Sequence, residues 1–288
     1  NALLKAIPNH AALILVGDQN QLPSVGPGQV LADLIASGSI PFIQLTETFR
    51  QAALSKIVSV AQSVNKGEMP PLTGYGPDSD FFFLACEKPE DILITVIDLV
   101  KRRLPDKLDY SPFTDIQVLC PMTRGMIGTH TINIELQKAL NPPTANSLQK
   151  FGTWFSVRDK VMQTENNYQK EIYNGDIGII QQINVEEGEV LIDFAGKTVA
   201  YDLHELDELI LAYAMTIHKS QGSEYPVVII PLHTQYYSML QKNLVYTGIT
   251  RGKKLVILVG QAKALAISVN NKNTQKRWSM LEENLKSR

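Results

Sequence analysis

The run PVVIIPL at residues 226–232 is an uninterrupted apolar segment bounded by polar residues. A short run of this kind is typical of a β-strand that is buried on both faces, as in a parallel sheet covered by helices. Four further runs have the same character: AALILV at 11–16, DFFFLAC at 80–86, DIQVLC at 115–120 and KLVILVG at 254–260. Together they predict a covered parallel sheet.

Helical patterns lie between these runs. Apolar residues recur at helix spacing from Leu54 to Val64, and a second helix is predicted to begin at Pro89, with acidic residues in its first turn and basic residues in its last. Strands that alternate with helices are typical of an α/β fold with right-handed crossovers.

Residues 150–208 break this alternation. Short strand-like segments are separated there by Asn174-Gly175, Glu187-Gly188 and Ala195-Gly196. Closely spaced hairpins with glycine turns predict a small antiparallel β-barrel inserted into the larger domain.

Length and composition set the broad class. The 288 residues predict about two domains, and 44% hydrophobic against 19% charged residues is typical of a folded chain. The net charge of −2 gives no support for a nucleic-acid partner, so any such site must be a local groove. No apolar run approaches the ~20 residues of a membrane span and no signal-peptide pattern is present, so we expect a cytoplasmic protein without membrane partners.

Cys86 and Cys120 each end an apolar run and are expected to be reduced and buried.

Several polar clusters carry candidate chemistry. In GDQNQLP at 17–23, Gln21 is placed to hydrogen-bond a phosphate or an attacking water; the alternative is a polar loop ending at a proline. In ETFRQ at 47–51, Arg50 stands near a helix start, where a cation is unfavourable, so an anionic partner is expected; the alternative is an ordinary surface arginine. Arg251, in YTGITR at 246–251, is a second candidate for reaching a phosphate.

The segment AMTIHKSQGSE at 214–224 is dense in hydroxyls and donors. Thr216, Ser220 and Ser223 suit a phosphodiester backbone, while His218 alone could equally be a structural histidine. The remaining histidines show no metal-ligand spacing, and we expect no metal site: His10, His130, His204 and His233.

Taken in order, these clusters resemble the motifs of superfamily 1 DNA helicases, most closely the RecD-like branch. The matching strings are GDQNQLPSVGPG (motif III), ETFRQ (motif IV), TIHKSQGSEY (motif V) and VYTGITRGKK (motif VI), together with VLCPMTRG at 118–125, which is similar to a short DNA-contacting motif. The resemblance implies two RecA-like domains that clamp ATP and step along single-stranded DNA with 5′-to-3′ polarity in recombination or repair. It also implies that the inserted barrel is of the Src-homology-3 type.

The resemblance assigns roles position by position. Gln21 would sense the γ-phosphate, and Arg50 and Arg251 would be paired arginine fingers, a device worth roughly 10³ to 10⁵ in rate. The nucleotide would also be contacted by Gly17, Asp18, Gly222 and Glu224. DNA would be contacted by Pro121, Met122, Thr123, Thr216, His218 and Ser220. Phe49 and Tyr246 are either base-stacking or core aromatics.

A helicase also needs a Walker A loop, GxxxxGK[ST], and a Walker B carboxylate for Mg²⁺, and neither is present. Gly196-Lys197-Thr198 has the right ending, but Leu191 stands where the first glycine is required, and the string lies in a predicted hairpin. We therefore expect the chain to be the C-terminal part of a longer helicase, with the Mg²⁺ ligands elsewhere, and to be unable to hydrolyse ATP alone.

The expected domains are a remnant of the first RecA-like domain at 1–44, the second RecA-like domain at 45–149 and 209–288, and the barrel at 150–208. Other recombination or repair subunits are possible partners. The alternative function is a non-catalytic DNA-binding or partner-docking module that retains the helicase motifs; a nuclease has weak support, because no two-metal carboxylate cluster is evident.

Overall fold

A computed structural model describes residues 2–24, 26, 28–45, 55–271 and 279–287. These residues form two compact units. The first contains the described residues before 46 together with 279–287, and the second contains residues 55–271. The cluster ETFRQ, including Phe49 and Arg50, lies outside the described residues.

Helices make up the regular structure of the first unit: α1 (Ala2–Ala6), α2 (Val30–Ser37) and the last helix of the chain, α9 (Leu281–Lys286). Helix α2 ends at Gly38, whose left-handed φ of 67° lets its N–H reach the carbonyl of Ile35. Helix α9 packs against α2, and the Ser39 hydroxyl donates to the Leu285 carbonyl at 3.1 Å. The C-terminal helix is thus grouped with the first unit, which differs from the expected assignment of 209–288 to the second domain.

The prediction of a strand at 11–16 is wrong. This segment has no regular secondary structure, and Ile14 and Val16 are 82% and 93% exposed. A strand buried on both faces exists only where neighbouring strands satisfy its backbone groups. The described part of the first unit contains no strand that could do so.

The second unit is built on a five-stranded parallel sheet, and its strands confirm the other four apolar runs as predicted. The strand order is β1-β12-β11-β2-β10. The bounds are β1 (Phe81–Ala85), β2 (Ile116–Cys120), β10 (Ala214–Thr216), β11 (Tyr225–Leu232) and β12 (Gly252–Gly260).

Helices precede, separate and follow these strands, in agreement with the helical patterns. They are α3 (Lys56–Lys66), α4 (Pro89–Asp98), α5 (Leu104–Leu108), α6 (Thr129–Leu140), α7 (Lys242–Ile249) and α8 (Ala262–Asn270). A π-helical turn, Leu99–Arg103, joins α4 to α5, and short 3₁₀ helices span Glu205–Glu208 and Thr234–Met239. The α/β fold class is confirmed.

An antiparallel region interrupts this α/β pattern, as predicted. A hairpin of β3 (Leu148–Lys150) and β4 (Thr153–Phe155) precedes a five-stranded sheet of order β8-β7-β6-β5-β9. Those strands are β5 (Lys160–Gln163), β6 (Ile177–Asn184), β7 (Glu189–Phe194), β8 (Lys197–Asp202) and β9 (Leu209–Leu211). The string Gly196-Lys197-Thr198 lies at the β7–β8 hairpin, as predicted, and is therefore not a Walker A loop between a strand and a helix.

The buried carboxylate of Asp159 joins the barrel to the parallel-sheet domain. It accepts hydrogen bonds from Gln137 Nε2 (2.5 Å) and Asn141 Nδ2 (2.7 Å) at the end of α6, from the Tyr213 hydroxyl (2.8 Å) and from the Ser156 N–H (2.8 Å). Burial raises the pKa of this carboxyl, although the four hydrogen bonds act in the opposite direction. The donors come from both substructures, so this residue fixes their mutual orientation.

The two cysteines are free, as expected; Cys120 is fully buried and Cys86 half-buried. Burial raises the pKa of the Cys120 thiol and keeps it protonated. No described helix is long and apolar enough to cross a membrane.

Gly260 ends β12 where the backbone of β11 leaves no room. A Cβ there would lie 1.9 Å from the Leu232 carbonyl oxygen, and φ is +146°. We predict that Gly260→Ala lowers the free energy of unfolding by about 3 kcal/mol or more, measured by urea denaturation. Gly76→Ala, whose Cβ would enter open space, is the matched control, and equal effects of the two changes would contradict the prediction.

Lys160 supplies a pH-dependent term to stability. Burial lowers its pKa to about 8, against the raising effect of Asp115, and its ammonium donates to the Ile116 carbonyl at 3.2 Å. Above pH 8 the folded form releases this proton while the unfolded form keeps it up to its ordinary pKa of 10.5, so stability rises with pH in that window.

We therefore predict that the free energy of unfolding increases by about 1 kcal/mol between about pH 8 and 9, before the tyrosines begin to release protons. Lys160→Met should remove most of the increase, whereas replacing the exposed Lys66 by methionine should leave it unchanged. Denaturation at a series of pH values tests this, and an increase of undiminished size in Lys160→Met would refute it.

Candidate functional site

The polar loop at 17–23 is organised by Asp18. Its carboxylate accepts the Asn20 N–H at 2.9 Å and the Gln21 side-chain amide at 3.3 Å, while the Gln21 N–H donates to the Asp18 carbonyl. Gly17 lies close to Leu31 of α2, because a Cβ there would be 3.0 Å from that side chain. The loop thus presents Gln21 in an orientation set by Asp18.

The loop that follows β2, residues 121–128, turns back into α6. The N–H groups of Thr129 and His130 donate to the carbonyls of Met122 and Thr123. Pro121 is buried and Met122 half-buried against the core, whereas Thr123 is exposed. Of the three predicted contact residues in this loop, Thr123 offers the most accessible side chain.

Tyr236 holds this loop from the 3₁₀ helix that follows β11. Its hydroxyl accepts a hydrogen bond from the Ile127 N–H at 3.3 Å. A Cβ on Gly125 would lie only 2.5 Å from the same hydroxyl oxygen. Gly125 has φ of +96°, which favours glycine. Tyr236 could not be found from the motif strings, because it lies more than a hundred residues beyond the loop it supports.

The segment 217–224 follows β10 and begins beside the first loop. Thr216 pairs with Cys120 in the parallel ladder, and the Ile217 N–H donates to the Cys120 carbonyl at 3.0 Å. The carboxyl ends of adjacent parallel strands therefore bring Thr216 and His218, both partly exposed, next to residues 121–123.

Ser220 corrects one expectation. Its side chain is fully buried and donates to the Ile217 carbonyl at 2.8 Å, so it stabilises the turn and does not face outward for a DNA contact. Arg124 and Lys219, which the motif assignment left out, are exposed cations in the same two loops. Partial burial of its ammonium group lowers the pKa of Lys219. Both could have been included from the sequence, because each directly follows a predicted contact residue, Thr123 or His218.

A second group of predicted residues lies at the opposite, amino edge of the sheet. The Tyr225 N–H donates to the Arg251 carbonyl, and the buried Arg251 guanidinium donates to the carbonyls of Ser223 (3.1 Å) and Thr247 (3.2 Å). Glu224 forms an ion pair with Lys253 at 3.0 Å across two exposed side chains.

Gly222 has φ of +83° and open space around it. Gly222, Glu224 and Arg251 are thus brought together, at some distance from Thr216 and His218. Tyr246 is half-buried on α7.

Three family models match the chain. One described as an AAA domain matches residues 1–78, a UvrD-like helicase C-terminal domain matches 211–259, and an ATP-dependent RecD-like DNA helicase SH3 domain matches 132–194. The parallel sheet with its inserted barrel is therefore a RecA-like helicase domain of the α/β class.

Curated relatives define the family more closely. The ATP-dependent RecD2 DNA helicase of Deinococcus radiodurans is 33% identical over 98% of this chain and 37% of its own length. The RecBCD enzyme subunit RecD of Mycolicibacterium smegmatis is 30% identical over 90% of this chain and 47% of its own length. The chain belongs to the RecD-like helicase family, as the motifs indicated, and spans less than half the length of these relatives.

Among solved structures, a Pif1 helicase from Bacteroides in complex with ADP-AlF3 and single-stranded DNA shares 17% identity. The match covers 84% of this chain and 60% of that one, with a TM-score of 0.49.

The hydrogen bond from Ile127 to Tyr236 yields a direct test of how the 121–128 loop is held. Tyr236→Phe removes the acceptor. The loss of a hydrogen bond worth about 1 kcal/mol should speed amide exchange in residues 121–128 about fivefold. Hydrogen–deuterium exchange measures this, with Tyr237→Phe at the exposed neighbour as the control. Unchanged exchange in Tyr236→Phe would show that the loop is held by other contacts.

Proposed function

We propose that this chain is the part of a RecD-like ATP-dependent DNA helicase that grips single-stranded DNA and contacts the nucleotide. The whole enzyme would move 5′ to 3′ on DNA in recombination or repair, in the cytoplasm. Family membership supports the enzyme class, and the names of the relatives support the use of ATP and DNA.

One observation carries the proposal: the pairing of Thr216 with Cys120. It sets the loops that follow β2 and β10 side by side at the carboxyl edge of the sheet. The hydroxyls, the histidine and the cations of both loops share this edge, which is the proposed DNA edge. Hydroxyl groups, backbone N–H groups and cations are the usual contacts of a phosphodiester backbone.

The assignment of single residues follows their exposure. Thr123, Thr216 and His218 would donate to DNA phosphates, with Arg124 and Lys219 adding charge. Pro121, Met122 and Ser220 would shape the loops from within, since they are largely covered.

The nucleotide would bind against the amino edge of the sheet. Arg251 fits a phosphate contact, because the carbonyls of Ser223 and Thr247 hold its guanidinium at this edge and a guanidinium binds phosphate strongly. Gly222 leaves open space for close approach of a ligand, and Glu224 would reach the ribose. From the rest of the enzyme's nucleotide site, Gln21 and Arg50 would approach the γ-phosphate, with Gly17 and Asp18 shaping the Gln21 loop.

ATP hydrolysis would supply the free energy of movement. Since the chain contains no GxxxxGK[ST] string, the Mg²⁺ that accompanies ATP would have its ligands elsewhere in the enzyme.

The segment 217–224 would couple the two ligands. Thr216 is level with Cys120, whereas Val227 is level with Ile116, four residues earlier in β2, so the chain between them runs back about 13 Å along the strand direction, from the carboxyl edge of the sheet toward the amino edge. A shift of Arg251 toward a nucleotide would pull on Ser223, whose carbonyl it holds, and so on the DNA-side loop.

One relative is named as a subunit of RecBCD, and we propose that the whole protein either acts alone or assembles with comparable recombination subunits.

Binding of single-stranded DNA tests the proposal. His218→Ala should weaken the affinity of the 288-residue chain for oligo-dT about fivefold, the effect of losing about 1 kcal/mol of hydrogen bonding, as measured by fluorescence anisotropy. His204→Ala, in an exposed side chain of the barrel, is the matched control. No measurable affinity of the wild-type chain, or equal losses in the two variants, would overturn the proposed DNA edge.

A second measurement concerns the nucleotide. Because the chain contains no GxxxxGK[ST] string, we expect it alone not to hydrolyse ATP at a helicase-like rate. DNA-stimulated ATP turnover that Arg251→Ala abolishes would contradict this expectation.

A further inference from the structure

The hairpin of β3 and β4 ends in an unusual turn. Lys150 and Thr153 are the last paired residues, so Phe151 and Gly152 form a two-residue loop. Both have positive φ, +49° and +77°, as a type I′ turn requires. This turn favours Asn or Gly at its first position, and a bulky aromatic residue there is a backbone outlier.

The hairpin also exposes aromatic surface on one side. Phe151 is 62% exposed and Trp154 is 41% exposed. Trp154 is paired with Gln149, which is also exposed, whereas the next pair, Leu148 and Phe155, packs into the core. The hairpin is therefore anchored by one face and presents aromatic rings from its tip and its other face.

The hairpin and the segments that flank it carry cations and no acidic residue. No aspartate or glutamate lies between Glu135 and Asp159; Lys138 is paired with Glu135 at 2.7 Å, which leaves Lys150 and Arg158 as the cations of the hairpin and its flank. Exposed aromatic rings in an acid-free, basic stretch match a ligand that combines flat apolar faces with negative charge. Single-stranded DNA has this combination, because its bases stack and its backbone is anionic.

The base of the hairpin is fixed to α6, which begins at the proposed DNA edge. Gln137 Nε2 donates to the Trp154 carbonyl at 2.8 Å, and the hydroxyls of Ser147 and Ser156 are bonded at 2.7 Å. Gln137 lies eight residues beyond the start of α6, or about 12 Å along the helix axis. This separation corresponds to a few nucleotides of an extended strand.

From these observations we infer that the β3–β4 hairpin is a base-stacking site for single-stranded DNA, with Phe151 and Trp154 as the stacking residues and Lys150 as a phosphate contact. The inference rests on the proposed function, because it extends the DNA path from the 121–128 and 217–224 loops onto the inserted barrel.

Trp154 provides its own reporter. The chain has two tryptophans, so Trp278→Phe leaves Trp154 as the single fluorophore. Titration of this variant of the 288-residue chain with oligo-dT should quench the Trp154 emission at the concentrations that saturate binding in anisotropy. Binding without any change in emission would overturn the stacking role of Trp154.

Substitution at Phe151 separates stacking from folding. Phe151→Asn places a favoured residue in the turn, so stability should rise or stay unchanged while DNA affinity falls about tenfold, the lower to middle range for loss of one stacked base. Phe151→Tyr keeps a ring and should retain affinity. Tyr168→Ala removes a 73% exposed aromatic from another barrel loop and should also leave affinity unchanged.

The outcomes distinguish the two proposals. If the wild-type chain binds oligo-dT and His218→Ala weakens binding while Phe151→Asn does not, the hairpin site is wrong and the proposed function stands. If Tyr168→Ala weakens binding as much as Phe151→Asn, the effect is not specific to the hairpin and the inference fails. Absence of binding by the wild-type chain would overturn both.

Discussion

The register of β11 between β2 and β12 is the constraint on which the arrangement of the site depends. Val227 pairs with Ile116 on one side, and Tyr225 pairs with Gly252 on the other. Because every strand of this sheet is parallel, the strand direction decides which loops share an edge, and the register decides which of their residues lie level with one another. The loops after β2 and β10 meet at the carboxyl edge, and the segments that enter β11 and β12 meet at the amino edge. A change of register would separate Arg251 from Ser223.

Asp159 extends this order from the sheet to the barrel. A buried carboxylate costs free energy unless its oxygens are satisfied, and here four donors from both substructures supply the hydrogen bonds. The arrangement is specific in geometry, since each donor must lie at its position for the group to be satisfied. The barrel and its hairpin are thereby held in a defined orientation to α6 and to the loop at which α6 begins.

Much of the fold could be predicted, because a strand that is buried on both faces has an unbroken apolar run in its sequence. DIQVLC and KLVILVG became strands for this reason, and the glycine turns of the barrel were equally readable. The same rule failed at AALILV, where the run is present but no described strand lies beside it. An apolar run records the capacity to be buried in a sheet, and the neighbours decide whether a strand forms.

The site could be predicted only as a set of segments. A motif string identifies residues that belong together, but it does not separate side chains that can contact a ligand from those that shape the loop. Ser220 and His218 are two residues apart. The Ser220 hydroxyl is hydrogen-bonded inside the turn, whereas the His218 side chain is partly exposed. Tyr236 and Asp159 belong to no motif, because each acts through contacts with distant parts of the chain. Residues that contact ligands follow local sequence patterns, whereas residues that position them follow the three-dimensional packing.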